Sequence, residues 1–404
     1  MLQRIESKQR SAAAFGFMPV ESARGLVQLN GGRVMTTTHT PTLSGLGPLR
    51  PTRAGSKEFP PVAKAYIQVS QVARESGLLK RAPWFYALVG VAIALALGGA
   101  ITGFVLLGDS WFQLLIAGAL AIIFTQIAFL AHEAAHRVIL ATGPANDRLS
   151  LVLAGLIGMS YTWWDSKHSR HHANPNRVGK DPDIEVDTIS FVEEDAAQSR
   201  GFIRAITKYQ GWLFFPLLTL EGLNLHMHSF IHLFSREPVK WRWAQLGIIA
   251  FRFAALLIPV FMFLPLGMAF AFLGVQFAVF GVYMGASFAP NHKGMPIVAH
   301  DAKLDFFSKQ VRTSRNIRGG WWATSLMGGL NYQVEHHLFP SMARPHLAKA
   351  SEIVKEFCAT HDVPYTETSL IRSYSIVIDY LNRVGLAARD PFDCPIAAQH
   401  GRSR

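Results

Sequence analysis

Three histidines stand close together in a short polar segment, and their spacing suits the binding of a metal ion. His168, His171 and His172 lie at positions i, i+3 and i+4, so in a helix their imidazoles leave one face. A buried imidazole needs partners for both ring nitrogens, and a metal ion supplies one. The alternative is an exposed basic patch in a chain of net charge +12. Only further ligands elsewhere in the chain favour the metal.

Three more histidine clusters supply such ligands. An HEAAH sequence at 132–136 places two histidines at i and i+4, and His292 follows later in the chain. The sequence QVEHH at 333–337 repeats the spacing of HSRHH at 168–172, with Gln333 in place of the first histidine. The eight candidate metal ligands are therefore His132, His136, His168, His171, His172, His292, His336 and His337.

The number and type of these residues limit the metals that they suit. A zinc site takes four ligands, so eight imidazoles are enough for two ions. Imidazole also binds copper, iron and nickel, and open coordination positions beside nitrogen ligands favour iron that reacts with dioxygen. The spacing alone does not distinguish iron from zinc. Cys358 and Cys394 form no CxxC pair, so the predicted ligands are nitrogen and oxygen atoms.

The composition places these clusters in a membrane protein. The chain has 404 residues, of which 50% are apolar and 16% charged. This charge content is low for a soluble globular protein. The positive charge is spread over segments that flank apolar runs and forms no single dense face. This distribution fits membrane topology and predicts no nucleic-acid partner.

Four apolar runs predict an all-α integral membrane protein with two transmembrane helical hairpins. The predicted spans are residues 84–107, 111–131, 244–264 and 266–290. Basic residues stand near the open ends of both hairpins, and the connecting tips have none. The positive-inside rule then places the open ends on the cytoplasmic face. All four histidine clusters follow open ends, so a cytoplasmic helical cap is expected to carry them.

The rest of the chain divides around this membrane domain. Residues 1–60 read as a disordered or loosely attached segment, residues 61–375 as the membrane domain and residues 376–404 as a C-terminal tail. An amphipathic helix is expected at about 368–385. Arg252, which interrupts a span, is expected to extend to the membrane surface from a position near the helix end.

Two shorter apolar segments lie between the hairpins. Residues 149–160 are too short to cross a membrane, and residues 212–234 carry several polar groups. Both are predicted to lie in the interface or against the bundle, and the alternative is two additional crossings.

The three longer motifs, in their order along the chain, resemble the histidine boxes of membrane fatty acid desaturases. These are HEAAH, HSRHH and QVEHH, each placed after a hydrophobic hairpin. Flanking sequences such as HHANPN at 171–176, KDPD at 180–183 and TSRNI at 313–317 resemble bacterial acyl-CoA or acyl-lipid desaturases of actinobacterial type. The likeness covers about residues 60–375.

The resemblance implies a non-haem diiron enzyme that uses O2 to introduce a cis double bond into a long-chain acyl-CoA or acyl-lipid. It assigns all eight candidate histidines as ligands of two iron ions. Asn291 and Gln333 are expected to act on the metal directly or through water. Carboxylates often accept the second N–H of a ligating imidazole. Candidates for this role are Asp165, Asp181, Asp183 and Glu335, and the alternative for Asp181 and Asp183 is a solvated loop.

The resemblance also implies partners. Many relatives carry a fused haem domain with a His-Pro-Gly-Gly motif, and this sequence contains no such motif. A separate electron donor is therefore expected, either a ferredoxin or an NAD(P)H-dependent flavin or iron–sulfur reductase. The bacterial plasma membrane is the expected location. A basic run fits coenzyme A phosphates, an acidic donor protein or anionic lipid; it comprises Lys303, Lys309, Arg312, Arg315 and Arg318.

Three other functions remain open at this stage. An intramembrane zinc protease also carries a His-Glu-x-x-His motif, with Glu133 as general base, but it leaves the later histidines without a role. A hydroxylase or ketolase on the same diiron scaffold would transfer oxygen to carbon. A non-enzymatic membrane metal-binding protein would tolerate changes in the boxes.

Overall fold

The computed structural model describes residues 61–389, with side chains from residue 64 onward. The predicted loose segment at 1–60 and residues 390–404 of the predicted tail lie outside this range. Helices predominate within it, and two short strands, β1 (Asn316–Arg318) and β2 (Glu367–Ser369), pair in parallel. In chain order the helices are α1 (Pro61–Glu75), α2 (Pro83–Leu107), α3 (Gln113–Ala135), α4 (Gly143–Leu156), α5 (Tyr161–Ala173), α6 (Glu193–Gln198), α7 (Gly201–Lys208), α8 (Gln210–Leu218), α9 (Glu221–Leu233), α10 (Arg242–Phe263), α11 (Leu266–His292), α12 (Phe306–Arg312), α13 (Gly320–Leu326), α14 (Gln333–Leu338), α15 (Leu347–Thr360) and α16 (Leu370–Leu386).

Four of these helices match the predicted spans. α2, α3, α10 and α11 are long and apolar enough to cross a membrane, which identifies a membrane protein. α3 and α11 extend beyond the predicted limits to Ala135 and His292. The extension has a physical reason, because His132 and His292 are buried against other elements and the helix continues up to them.

α3 lies at the centre of the long helices. It packs against α2, α4 and α11, and it is the most enclosed of the four. Gln113 at its start donates to the carbonyl oxygens of Phe104 at 2.8 Å and Gly108 at 2.9 Å, which ties α3 to the end of α2. A shared apolar core includes Phe124 of α3 and Phe280 of α11.

The expectation that Arg252 extends to the membrane surface is wrong. Arg252 lies ten residues from the start of α10, which is about 15 Å along the helix. It is only 5% exposed, and its guanidinium lies over the ring of Phe124 at 4.3 Å. The side chain is therefore directed into the bundle at the middle of the helix.

The two shorter apolar segments are helices that pack on the long ones. α4 covers most of residues 149–160 and packs against α3 and α10. Residues 212–234 are divided between α8 and α9, and α9 packs against α11. The part of the chain that the structure describes has four candidate spans, so the two additional crossings have no counterpart there.

The last helix runs through the predicted domain boundary at residue 375. α16 begins after Ser369, whose hydroxyl accepts the backbone N–H of Arg372, close to the predicted start. Val377 and Leu381 in its second half are fully buried in a cluster with Phe214 of α8. Residues 376–386 therefore belong to the packed core, and the predicted tail begins too early.

Candidate metal centre

The ends of two long helices and two short cap helices carry the predicted ligands to one place. α3 carries His132 in its last turn and ends at His136, and α11 ends with His292. α5 carries the HSRHH motif, and α14 carries the last two histidines. The Ser160 hydroxyl caps α5 by accepting the backbone N–H of Trp163. The structure brings all eight predicted histidines together.

Five imidazoles form a first group. His168 lies between two members of the HEAAH motif, with its Nε2 3.0 Å from the Nε2 atoms of both His132 and His136. Two ligand nitrogens about 2.1 Å from one ion are about 3.0 Å apart when their bonds are at right angles. The spacing therefore fits a shared ion. Ligand atoms within 4.8 Å of one another come from His132, His136, His168, His172 and His336.

Three imidazoles form a second group, which comprises His171, His292 and His337. The Nε2 atoms of His171 and His292 are 3.3 Å apart. Each Nδ1 has an acceptor: a carboxylate oxygen of Asp181 at 3.0 Å from His171, the carbonyl of Thr313 at 2.9 Å from His292, and Oε1 of Gln310 at 3.0 Å from His337. Such acceptors hold the proton on Nδ1 and leave Nε2 free for a metal.

The two groups are adjacent because sequence neighbours in α5 and α14 belong to different groups. His172 belongs to the first and His171 to the second, and His336 and His337 divide in the same way. The rings of His172 and His337 stack at 4.3 Å between centroids with an interplanar angle of 14°. The arrangement therefore offers two neighbouring ion sites.

The state of the ring nitrogens fits metal binding. Among the described residues, no hydrogen-bond partner is found for several buried nitrogens: Nδ1 of His132, both nitrogens of His172, and Nε2 of His336 and His337. Burial, and then the neighbouring imidazoles, lowers the pKa of His168, His172, His336 and His337. Burial also lowers the pKa of His136 to about 4. These five imidazoles are therefore neutral at pH 7, and bound ions would satisfy nitrogens that are otherwise buried without partners.

Gln333 stands beside the second group. Its Nε2 is 2.9 Å from Nε2 of His292, and its Oε1 accepts from Nδ2 of Asn291 at 3.2 Å. Oδ1 of Asn291 is buried and has no hydrogen-bond partner in the part of the chain that the structure describes. The two amides predicted to act near the metal are therefore in contact with each other, and Gln333 contacts a candidate ligand.

Asp181 and Asp183 support the second group. Asp181 is fully buried and accepts from Nδ1 of His171 and from the backbone N–H groups of Asn176 at 2.7 Å and Asp183 at 2.9 Å. Although burial favours its neutral form, the charges of His171 and Lys167 hold the pKa of Asp183 well below its usual range. Against the effect of burial, the two carboxylates raise the pKa of His171. A solvated loop does not describe Asp181.

The prediction that Glu335 and Asp165 contact the histidines is wrong. Glu335 accepts from the hydroxyl of Tyr365 at 2.9 Å and from Nδ2 of Asn316 at 2.6 Å, and burial raises its pKa to about 7. It therefore anchors α14 to β1 and to the segment before β2. Within residues 61–389, Asp165 makes no hydrogen bond to a histidine, and its charge interacts with those of Asp147 and Arg137.

Several supporting residues were not predicted from the sequence. Gln310 and Thr313 hold two of the imidazoles, and Arg344 and Tyr86 bind the carboxylate of Glu133. The only local signal for Arg344 is its position shortly after the third histidine box. The other contacts join distant parts of the chain and have no local sequence signal.

Two further residues near the centre have defined contacts, and one of them changes a sequence expectation. Arg315 was predicted to belong to an exposed basic run, but it is only 1% exposed and donates to the carbonyl of Pro290 at 2.8 Å. His226 lies in a helix contact, where its nitrogens approach the carbonyls of Gly222 and Ile157.

Fold and site together define a helical membrane protein with a histidine-rich candidate metal centre. The sequence profile described as "Fatty acid desaturase" matches residues 109–369, and the chain belongs to this family. The predicted family and the predicted enzyme class, an oxidoreductase, are thereby confirmed.

Named relatives agree with this assignment. Delta(8)-fatty-acid desaturase 2 of Arabidopsis thaliana is 30% identical over 319 residues, which cover 75% of this chain and 69% of the relative. Fatty acid desaturase 3 of Homo sapiens is 28% identical over 85% of this chain and 78% of the relative. Acyl-lipid (9-3)-desaturase of Borago officinalis is 28% identical over 66% and 62%.

Proposed function

We propose that the protein is a fatty acyl desaturase that introduces a cis double bond into a long-chain acyl-CoA or acyl-lipid. The proposed reaction uses O2, two protons and two electrons from a separate donor protein, and two water molecules are the other product. One observation carries the proposal: two adjacent groups of imidazoles lie where two long apolar helices end. The names of the relatives, which include a Delta(8) and an acyl-lipid desaturase, support the same chemistry.

The eight histidines are proposed to hold two iron ions, one in each group. Iron held there would supply the oxidising power with which O2 removes hydrogen from two neighbouring methylenes. The protein fixes the orientation of the ligands: Asp181, Gln310 and the carbonyl of Thr313 hold the Nδ1 protons of the second group. Gln333 and Asn291 are proposed to act beside this group.

The acyl chain is proposed to reach the histidines through the apolar core. The ring of Trp164 stacks on His168 at 4.4 Å, with an interplanar angle of 18°. Trp163 and Trp164 also pack against the core cluster that contains Phe124 and Phe280. These tryptophans therefore connect the candidate metal centre with an apolar region that excludes water and suits an alkyl chain.

The four long helices are proposed to form two hairpins with the histidines on the cytoplasmic side of the bilayer. The tips at 108–112 and 264–265 contain no Lys or Arg. Basic residues near the opposite ends support this orientation; they are Lys64, Arg74, Lys80, Arg81, Arg137, Arg236, Lys240, Arg242 and Lys293. The bacterial plasma membrane stays a prediction from the sequence resemblance, since the relatives named above are eukaryotic.

Two observations favour this function over an intramembrane zinc protease. The proteolytic mechanism needs a free glutamate at position 133, but Glu133 accepts from both Arg344 and Tyr86. A single zinc site also leaves the second group of imidazoles without a role. A hydroxylase or ketolase would use the same ligands, and the product separates it from a desaturase.

The test is lipid analysis of a host that expresses the protein, together with the metal content of the purified protein. We expect a new cis double bond at one position and about two iron ions per chain. His171→Ala should remove the product and lower the iron content while the protein still inserts into the membrane. His300→Ala, at an exposed histidine outside both groups, is the control. One zinc and no iron, or a hydroxylated product, would contradict the proposal.

A further inference from the structure

A cluster of cations lies above the second and third histidine boxes, on α12 and on the loop that follows α5. Arg177 of this loop donates to the carbonyl oxygens of His300 at 2.9 Å and Ala302 at 2.7 Å. The pKa of Lys309 is lowered first by burial and then by the charges of Arg177 and Lys180. The two loops and α12 therefore bring Arg177, Lys180 and Lys309 close together.

Exposed residues extend this basic surface. Arg170, Lys180, Lys303 and Arg312 of this region are exposed, and their side chains make no ion pair or hydrogen bond with the residues that the structure describes. Leu304 and Phe306 in the same region are each 41% exposed. Asp305 accepts the backbone N–H of Ser308 at 2.9 Å and caps α12. The surface thus combines uncompensated positive charge with a small apolar area.

A short route of covalent and hydrogen bonds connects this basic surface with both histidine groups. Ala173 is exposed and directly follows His172, and Nζ of Lys309 donates to the carbonyl of Ala173 at 2.6 Å. Gln310 donates to the carbonyl of His172 at 2.8 Å and accepts from Nδ1 of His337 at 3.0 Å. One residue therefore separates the surface from each group of candidate ligands.

We propose that this basic surface is the docking site for an acidic electron-transfer protein. The proposal rests on the proposed function, which requires electrons at the histidine groups. Electron transfer slows steeply with distance, and the surface beside Ala173 offers a short route to His172. Complementary charge speeds the encounter of transient redox partners, whose interfaces are small. The exposed Leu304 and Phe306 provide the apolar contact within that charged rim.

The position of the surface favours a protein over coenzyme A. The apolar core that suits the acyl chain contacts the centre through Trp163 and Trp164 of α5. The basic surface instead approaches through Ala173, at the other end of α5, and through α12. Coenzyme A bound at the basic surface would therefore not place its acyl chain beside the tryptophans.

The test uses the full-length, iron-loaded protein in lipid nanodiscs with a reduced acidic [2Fe–2S] ferredoxin and, separately, reduced cytochrome b5 as probes. The variant is the double replacement Lys180→Glu with Lys303→Glu. With the faster probe, we expect its rate of reducing the iron at low salt to fall about tenfold or more. The dissociation constant of that probe for the metal-free double variant should rise by a similar factor. Reduction by dithionite, which needs no docking, should keep its rate.

Two control variants make the result specific. Lys180→Arg with Lys303→Arg keeps the charge and should keep the rate. Arg148→Glu reverses the charge of an exposed residue of α4, outside the basic surface, and should also keep the rate. Unchanged rates with both probes in the double glutamate variant would overturn the proposal. A raised KM for acyl-CoA with unchanged probe rates would assign the surface to coenzyme A instead. Absence of unsaturated product from wild-type protein driven by dithionite would instead contradict the proposed function.

Discussion

The carboxylate of Glu133 forms a buried ion pair with the guanidinium of Arg344, although 211 residues separate them in sequence. Nε of Arg344 donates to Oε1 of Glu133 at 3.1 Å, and its Nη2 donates to Oε2. Tyr86 of α2 donates its hydroxyl to the same carboxylate at 2.9 Å. The backbone N–H of Arg344 in turn donates to this hydroxyl at 3.1 Å. The glutamate of the HEAAH motif thus joins α3 to α2 and to the segment behind the third histidine box.

Glu133→Ala is expected to destabilise the protein strongly. The substitution leaves Arg344 buried and charged without its partner, which typically costs about 3–5 kcal/mol in the free energy of unfolding. The measurement is the midpoint of thermal unfolding in detergent, followed by size-exclusion fluorescence. Tyr86→Phe removes a hydroxyl that donates to this carboxylate and accepts the backbone N–H of Arg344, and it should cost about 1.5–3 kcal/mol.

A double variant separates the ion pair from packing. Glu133→Gln with Arg344→Met removes both charges, so its loss of stability should be clearly smaller than that of Glu133→Ala. Equal losses in the two variants would show that the charge pairing does not matter. If the single Glu133→Ala variant unfolded at the wild-type temperature, the ion pair would have no structural role.

Gly328→Ala is expected to disturb the approach of the third histidine box to α3. Gly328 has a φ of +59°, and a Cβ there would overlap the ring of Phe129, one helical turn before His132. The free energy of unfolding is expected to fall by about 1–2 kcal/mol because of the left-handed backbone and by about 1–3 kcal/mol more because of overpacking. Iron content per folded chain should fall together with the unfolding temperature.

Gly320→Ala is the matched control for this substitution. Gly320 has nearly the same φ, +60°, but a Cβ there would meet no atom within 4 Å. Gly320→Ala should therefore show the backbone cost alone and keep its iron. The same loss at both glycines would mean that contact with Phe129 contributes nothing.

The sequence predicts the spans and the histidine clusters well because both depend on local patterns. An uncharged run such as residues 84–107 specifies a long helix without tertiary information, and HSRHH places three imidazoles on one helix face. Several partners of the clustered imidazoles come from distant segments. Gln310 reaches His337 across 27 residues, and nothing beside either residue indicates this contact. Glu335 shows the converse, because its position next to a ligand suggested a role that its contacts with Tyr365 and Asn316 exclude.

Asp181→Asn is expected to weaken iron binding without unfolding the protein. Asp181 accepts three N–H donors, from His171, Asn176 and Asp183, and an asparagine replaces one acceptor oxygen with a further donor. Loss of such a partner typically lowers metal affinity about 10- to 100-fold. Iron retained against increasing chelator concentrations is the measurement. Glu185→Gln, at an exposed carboxylate of the same segment, should behave as wild type, and an equal effect of both would remove the special role of Asp181.

Arg252→Met is expected to stabilise the protein slightly. Within residues 61–389, Nε and Nη1 of Arg252 are buried without a hydrogen-bond partner, and the guanidinium contacts the face of Phe124. A cation at the centre of a membrane helix costs about 3 kcal/mol, and its contact with an aromatic ring returns about 2 kcal/mol. The difference predicts a gain of about 1 kcal/mol on removal of the charge. The unfolding temperature should therefore rise.

The control for Arg252 lies on the same helix. Arg242, the first residue of α10, donates to the carbonyl oxygen of Ser235 at 2.9 Å and to that of Glu237. Arg242→Met should therefore lower the unfolding temperature. The two replacements should therefore change the unfolding temperature in opposite directions, because Arg242 has acceptors for its N–H groups and Arg252 has none among the described residues. A large loss of stability in Arg252→Met would show that the buried guanidinium has an acceptor in the membrane-embedded protein. Loss of product without loss of stability would instead place Arg252 against the acyl chain.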